Sequence, residues 1–205
     1  MVEWSIEAFR ACESVRAIVV AAPPGHLDEM GAADLGVVAG GATRAQSVVN
    51  ALEGVETELV AIHDAARPLL TAALVEALVA RLDGDPEASG VIAAAPVTDT
   101  IKLAGETKSA FPAQEQGNAL FVDGTLDRSR LWAAQTPQVF RADALRAALD
   151  VDTEARDAAT DEAMLVEAAG GTVLIHPTSP ENFKVTTPLD LRVAELLLAE
   201  RGADL

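Results

Sequence analysis

Between Leu59 and Pro68 the chain reads Leu-Val-Ala-Ile-His-Asp-Ala-Ala-Arg-Pro, and no other stretch restricts the fold as strongly. A short aliphatic run without polar alternation suits a strand covered on both faces, which needs helices above and below it. The run then stops abruptly on His63, Asp64, Arg67 and Pro68. In open sheets of this kind, ligands settle beyond the carboxyl ends of the strands. A carboxylate and a guanidinium three residues apart at such an edge can hold a metal ion and a phosphate. They can equally form a surface ion pair that caps the next helix. His63 has two readings as well, a general base or a core histidine bonded to backbone, and the second is the simpler.

The rest of the chain repeats the pattern. Val2 to Glu13 places Trp4, Ile6, Ala8, Phe9 and Cys12 near helical spacing. Ala17–Ala22 follows as a strand, ended by Pro23-Pro24-Gly25. A second strand, Leu35–Ala39, runs into Gly40-Gly41-Ala42-Thr43-Arg44, a glycine turn opening onto a helix, where free N–H groups can meet an acceptor. Thr71 starts a helix to about Leu82, and Gly90–Val97 is a strand delivering Asp99-Thr100-Ile101-Lys102. From about residue 103 to 125 the pattern turns polar and irregular, an arm projecting from the body as a hairpin. Leu126–Phe140 returns to the core, and a helix spans Arg141 to Leu149. Thr160 caps the next helix, with Asp161 and Glu162 in its first turn. Thr172–Ile175 and Asn182–Thr186 are the last strands, and Thr187-Pro188-Leu189-Asp190 opens a final helix to about Arg201. Strands alternating with helices predict a three-layer α/β fold on a mostly parallel sheet, in one domain over residues 1–205.

Charge narrows the partners. A formal net charge of −17 argues against nucleic acid and anionic membrane surfaces, which depend on Lys and Arg meeting phosphates. A small phosphorylated ligand stays open, because a local site can be positive on an acidic protein. Lysine occurs only as Lys102, Lys108 and Lys184, so each invites a question about its role. No apolar run is long enough to cross a bilayer, and Met1-Val2-Glu3-Trp4 does not read as a basic, apolar leader. The single Cys12 fits a reducing cytoplasm and reads as a core filler. No Cys or His cluster has zinc spacing.

Parallel strands point the same way, so their exits converge on one edge. That edge would gather Arg44, Asp64, Arg67, Thr100, Lys184 and Lys102. It lacks a nucleophile–base pair but suits phosphates and a divalent metal, and with them phosphoryl transfer by positioning and charge neutralisation.

Six segments in register, GGATRAQSV, HDAARP, DTIK, LWAAQTPQVF, ATDEA and ENFKVTTPLDL, resemble the 2-C-methyl-D-erythritol 4-phosphate cytidylyltransferases of the non-mevalonate isoprenoid pathway. The resemblance covers nearly the whole chain. It implies a Rossmann-like nucleotidyltransferase fold, a homodimer with interlocking arms, CTP as co-substrate and Mg²⁺, in the cytoplasm. By the same resemblance Gly41, Ser47, Arg44, Asp64 and Ala65 would hold the nucleotide. Asp64, Arg67 and Thr100 would line the sugar-phosphate side, with Asp64 a metal ligand. Arg128, reaching across the dimer, would hold methylerythritol phosphate with Thr136 and Thr160. Lys184 and Arg67 would act on the reacting phosphates. Each has a plainer reading: Thr136 can stabilise the turn at Pro137, and Thr160 can be only a cap.

One departure stands against these matches. The family opens with a strand and a glycine-rich loop carrying an arginine, then a Pro-Lys pair; here Met1 falls where the family's first long helix begins. Ala21-Ala22-Pro23-Pro24-Gly25 carries no cation and does not replace that loop. The resemblance therefore implies either a chain truncated at its start or a true coding start that lies upstream, and a chain weak or inactive as written, with an open or rearranged sheet edge. Glu181, where the family commonly has Asp, puts metal ligation there in question. Two other readings remain at this level: transfer to another polyol phosphate such as ribitol 5-phosphate, and a non-catalytic nucleotide-binding or dimerisation protein.

Overall fold

A computed structural model describes residues 1–28, 34–105 and 121–203. In chain order the elements are α1 (Val2–Arg10), β1 (Ile18–Ala22), β2 (Leu35–Ala39), α2 (Arg44–Leu52), β3 (Leu59–Ile62), α3 (Ala72–Asp83) and β4 (Gly90–Pro96). There follow β5 (Lys102–Gly105), β6 (Phe121–Thr125), β7 (Trp132–Arg141), α4 (Ala142–Leu149), α5 (Thr153–Ala158), α6 (Glu162–Ala168), β8 (Val173–Pro177) and α7 (Pro188–Ala203).

The centre is a four-stranded sheet in the order β3-β7-β4-β8. Strand β4 is parallel to β8, while β7 runs antiparallel to both β3 and β4. The sheet is thus mixed, with β7 reversed among strands that otherwise share a direction. Alternation along the strands splits the core into two layers. Ile92 and Phe140 face α4 and α6, packing with Leu145, Leu149 and Val166. Val91, Ala93 and Val139 face α3, packing with Leu78 and Leu82. Phe140 is fully buried, worth roughly 1.5–3 kcal/mol in apolar transfer alone. Its ring lies over Gly90 in the adjacent strand, where a Cβ would approach to 2.3 Å, so only glycine lets the two strands pair there.

Strands β1 and β2 form a separate parallel pair. Among the described residues no strand joins β1 to β3. Instead both line one cleft of about 920 Å³, covered by Ile6 and Phe9 of α1, Val75 and Val79 of α3, and Val48, Ala51 and Leu52 of α2. Among those residues, ladder edges of β1 and β3 therefore stand unpaired along a shared seam.

The expected hairpin begins and ends in the antiparallel pair β5–β6. Leu103, Phe121 and Val122 on that pair are exposed. The remainder of the arm, 106–120, lies outside the described residues.

Several local expectations need correction. Asn182–Thr186 forms no strand; the Val185 N–H donates to the Ala66 carbonyl at 2.8 Å, and the Arg67 side chain holds the Asn182 carbonyl at 2.8 Å. Helix α6 is capped by Asp161, which accepts from the Met164 N–H at 3.0 Å, and not by Thr160. Helix α5, capped by Asp152, was not anticipated, because none of its residues is buried and no apolar stripe marks it. Helix α7 starts as expected: Thr187 Oγ1 accepts from the Asp190 N–H at 3.2 Å, and Asp190 accepts from the Thr187 N–H at 2.8 Å.

Candidate functional site

Asp64 is the first acid after β3, and three cations reach it from three parts of the chain. Arg44 Nε from the first turn of α2 lies 3.1 Å from Oδ1. Arg67 Nε lies 3.6 Å from Oδ2, and Lys184 Nζ, from the loop before α7, lies 3.2 Å from the same oxygen. The backbone fixes this geometry. A turn closed by the Arg67 N–H on the Asp64 carbonyl at 2.9 Å brings the pair to one side, and the bonds from Ala66 and Arg67 to 182–185 bring up Lys184. Burial alone would raise the Asp64 carboxyl, but Arg44 and Lys184 outweigh it and hold the group below the usual carboxylate range. Burial lowers the Arg67 guanidinium despite its pairing with Asp64.

Arg44 has a second partner. Its Nη1 lies 2.7 and 2.6 Å from the two oxygens of Glu162, at the start of α6. Glu162 is only 1 % exposed. Burial pushes its carboxyl up, with Arg44 pulling the other way. Three cations thus face two carboxylates, which leaves the cluster locally positive on a strongly acidic protein. Lys184, with 45 % of its side chain exposed, is the most open of the three cations.

Beside Arg44 the glycine turn is internally tied. The Gly41 N–H donates to Ser47 Oγ at 3.0 Å, Ser47 donates to the Thr43 carbonyl at 3.0 Å, and the Ala42 N–H donates to Gln46 Oε1 at 3.1 Å. The turn's amides are thus engaged rather than free, and an incoming acceptor would displace Ser47 or Gln46. Gly41 is required by packing, since a Cβ there would meet that of Gln46 at 2.3 Å.

His63 belongs to the scaffold. Its Nε2 faces the Arg67 carbonyl at 3.2 Å and must carry the ring proton, so Nδ1 accepts from Thr136 Oγ1 at 3.0 Å. Thr136 Oγ1 in turn accepts from the Asp64 N–H at 3.0 Å. Burial lowers the imidazole to about 4, so the ring stays neutral. The Thr136 side chain, 3 % exposed, therefore spends its hydroxyl on positioning Asp64.

Of the candidates read from sequence, Arg44, Asp64, Arg67 and Lys184 converge, with Gly41 and Ser47 adjoining and Ala65 exposed on the same turn. Thr100 is exposed after β4, and Arg128 holds the Thr98 carbonyl at 2.6 Å near it. Thr160 is exposed two residues ahead of Glu162. The ion-pair partners of Asp64 are Arg44, Arg67 and Lys184, and Thr100, Arg128 and Thr160 are not among them. Glu162 was missed because an acid in a first helical turn reads as a dipole partner. Among the described residues no group of three or more His, Cys, Asp or Glu could hold a metal.

A glycine turn and a carboxylate shared among three cations lie together at the strand exits of an α/β sheet, the class of site that suits phosphate-bearing ligands. The comparisons narrow the class. The family model for 2-C-methyl-D-erythritol 4-phosphate cytidylyltransferase (IspD) matches residues 1–200, and the chain belongs to that family. The chain is 41 % identical over 201 residues to a bifunctional enzyme IspD/IspF of Anaeromyxobacter dehalogenans, covering 95 % of this chain and 49 % of that one. It is 39 % identical over 208 residues to a 2-C-methyl-D-erythritol 4-phosphate cytidylyltransferase of Symbiobacterium thermophilum, covering 97 % of this chain and 80 % of that one. The chain thus spans about half the length of the bifunctional relative. Among solved structures, the cytidylyltransferase of Thermus thermophilus superposes with a TM-score of 0.77 at 30 % identity, over 97 % of this chain and 88 % of that one. That of Francisella tularensis gives 0.78 at 28 % identity, over 95 % and 86 %.

Proposed function

We propose that this chain transfers a cytidylyl group from CTP to 2-C-methyl-D-erythritol 4-phosphate and releases pyrophosphate. The observation that carries the reading is Asp64 held between Arg44, Arg67 and Lys184 in a chain of this family. An oxygen of the acceptor phosphate attacks the α-phosphorus of CTP in line, a P–O bond forms, and the bond to the pyrophosphate oxygen breaks. Lys184 and Arg67 neutralise the charge spreading over the reacting phosphates. Gly41, Ser47, Arg44 and Ala65 border the nucleotide. Thr100, Arg128 and Thr160 face the acceptor, and Thr136 serves indirectly by fixing the Asp64 amide.

The donor set suits a magnesium ion only together with substrate. Asp64 would offer such an ion one carboxylate, with substrate phosphates and water as the ordinary remaining donors for that cation. The ion would neutralise the triphosphate. Glu162, sealed from solvent, takes no part in it. The exposed apolar side chains of β5 and β6 support pairing of arms between two copies. No helix among the described residues is long and apolar enough to cross a membrane. The reading places the reaction in the cytoplasm, where the buried, unbridged Cys12 would stay reduced.

A pyrophosphate-release assay with CTP, methylerythritol phosphate and Mg²⁺ tests the reading. Lys184→Ala is expected to lower kcat by about 100-fold or more, the usual effect of losing a group that meets transition-state charge. Wild-type turnover unaffected by Lys184→Ala would refute it.

A further inference from the structure

The glycine turn is gripped from outside by the end of α5 and the start of α6. Thr43 Oγ1 donates to Asp157 Oδ1 at 2.9 Å while accepting from the Gln46 N–H at 3.2 Å. Gln46 Nε2 donates to Asp157 Oδ2 at 2.9 Å. Five residues further on, Glu162 takes Arg44 Nη1 with both oxygens. Thr43, Arg44 and Gln46 are the cap and first turn of α2, and Gln46 Oε1 also holds the Ala42 amide. Both oxygens of each carboxylate are thus committed to the segment that follows Gly41, across more than a hundred residues of sequence.

Stability alone does not explain the grip. Taking the Glu162 carboxylate out of water is costly, and well-packed apolar side chains commonly do as well or better. What the carboxylates supply is direction: Glu162 holds one side of the Arg44 guanidinium so that its Nε points to Asp64, and Asp157 holds the cap and Gln46 together.

We infer that Asp157 and Glu162 are positioning residues that set the nucleotide turn Gly41–Ser47 for binding, acting through Thr43, Gln46 and Arg44. The two act differently. Among the described residues, the side-chain hydrogen bonds of Asp157 go to the turn, so it shapes the nucleotide side. Glu162 acts through Arg44 on Asp64, which both substrates share, and so affects nucleotide and acceptor together. This rests on the cytidylyl-transfer reading, and the test separates the two.

Wild-type chain is first titrated with CTP and Mg²⁺ by calorimetry; absence of binding would sink the functional reading and the inference with it. With binding established, Asp157→Ala is expected to raise Kd and KM for CTP about tenfold, within the ordinary range for coupling through a protein. The KM for methylerythritol phosphate stays within about twofold under the same principle, and Asp157→Asn, which keeps one acceptor oxygen, restores part of the loss. Asp157 is half-exposed, so folding is retained and a thermal melt confirms it. Glu162→Gln is expected to raise both KM values. An unchanged Kd for CTP in folded Asp157→Ala, or an equal rise in both KM values for it, would overturn the inference while leaving cytidylyl transfer intact.

Discussion

The four-stranded sheet and the β1–β2 pair are built of similar aliphatic residues, yet they are held in different ways. In the larger sheet, β4 is buried from Gly90 to Ala95 and ladders on both edges. In the smaller pair, β1 is mostly half-buried and ladders on one edge only, and the cleft separates it from β3. Near the site, the pair's side of the molecule is tied to the larger sheet both by apolar packing of Val48, Val49 and Leu52 of α2 and by directed polar contacts: Arg44 to Asp64 and Glu162, and Thr43 and Gln46 to Asp157. Apolar packing on both faces secures the larger sheet; the smaller pair has packing through α2 with directed polar contacts added, and the Arg44 contact among them is part of the site.

The largest test of this contrast is a pair of truncations. Phe140→Ala in the larger sheet should cost about 4 kcal/mol in chemical denaturation, since it empties a closed core. Val20→Ala in β1 should cost about 1 kcal/mol, because its surroundings are already open. Equal costs would erase the distinction.

A second test uses acid. His63 sits where β3 meets the cleft, and its folded value of about 4 lies below the ordinary 6.5. The unfolded chain therefore takes up the proton first as pH falls. The stability is complete above about 6.5 and is lost on the way down to about 4, amounting to about 3 kcal/mol. Unfolding curves across that window should flatten in His63→Gln; an unaltered slope would remove His63 as the cause. Asp64, held low, loses its contribution only below the ordinary carboxylate value, and Glu162, held high, works in the opposite direction.

The smallest expected effect concerns Arg10 and Asp34, an exposed pair that fastens α1 to the residue ahead of β2. Arg10→Ala should shift the melting temperature by no more than about 2 °C, as surface pairs do. A larger shift would mean that the smaller region depends on surface charge as well.

Much of this was legible from residues alone. Short aliphatic runs ending in charge placed Arg44, Asp64 and Arg67 at strand exits, and the scarcity of lysine singled out Lys184. Periodicity could not reveal that β7 is reversed, because an apolar run looks the same in either direction. Asn182–Thr186 reads as a strand by its composition, but its backbone bonds to Ala66 and Arg67 instead of a ladder. Asp157 and Glu162 were invisible because their partners lie more than a hundred residues away, and nothing local distinguishes them from solvated helix acids.

The seam between β1 and β3 has a consequence beyond the reaction. Among the described residues, two rows of backbone donors and acceptors line one apolar trough, a geometry to which an extended segment can add hydrogen bonds, whether that segment belongs to this polypeptide or to another.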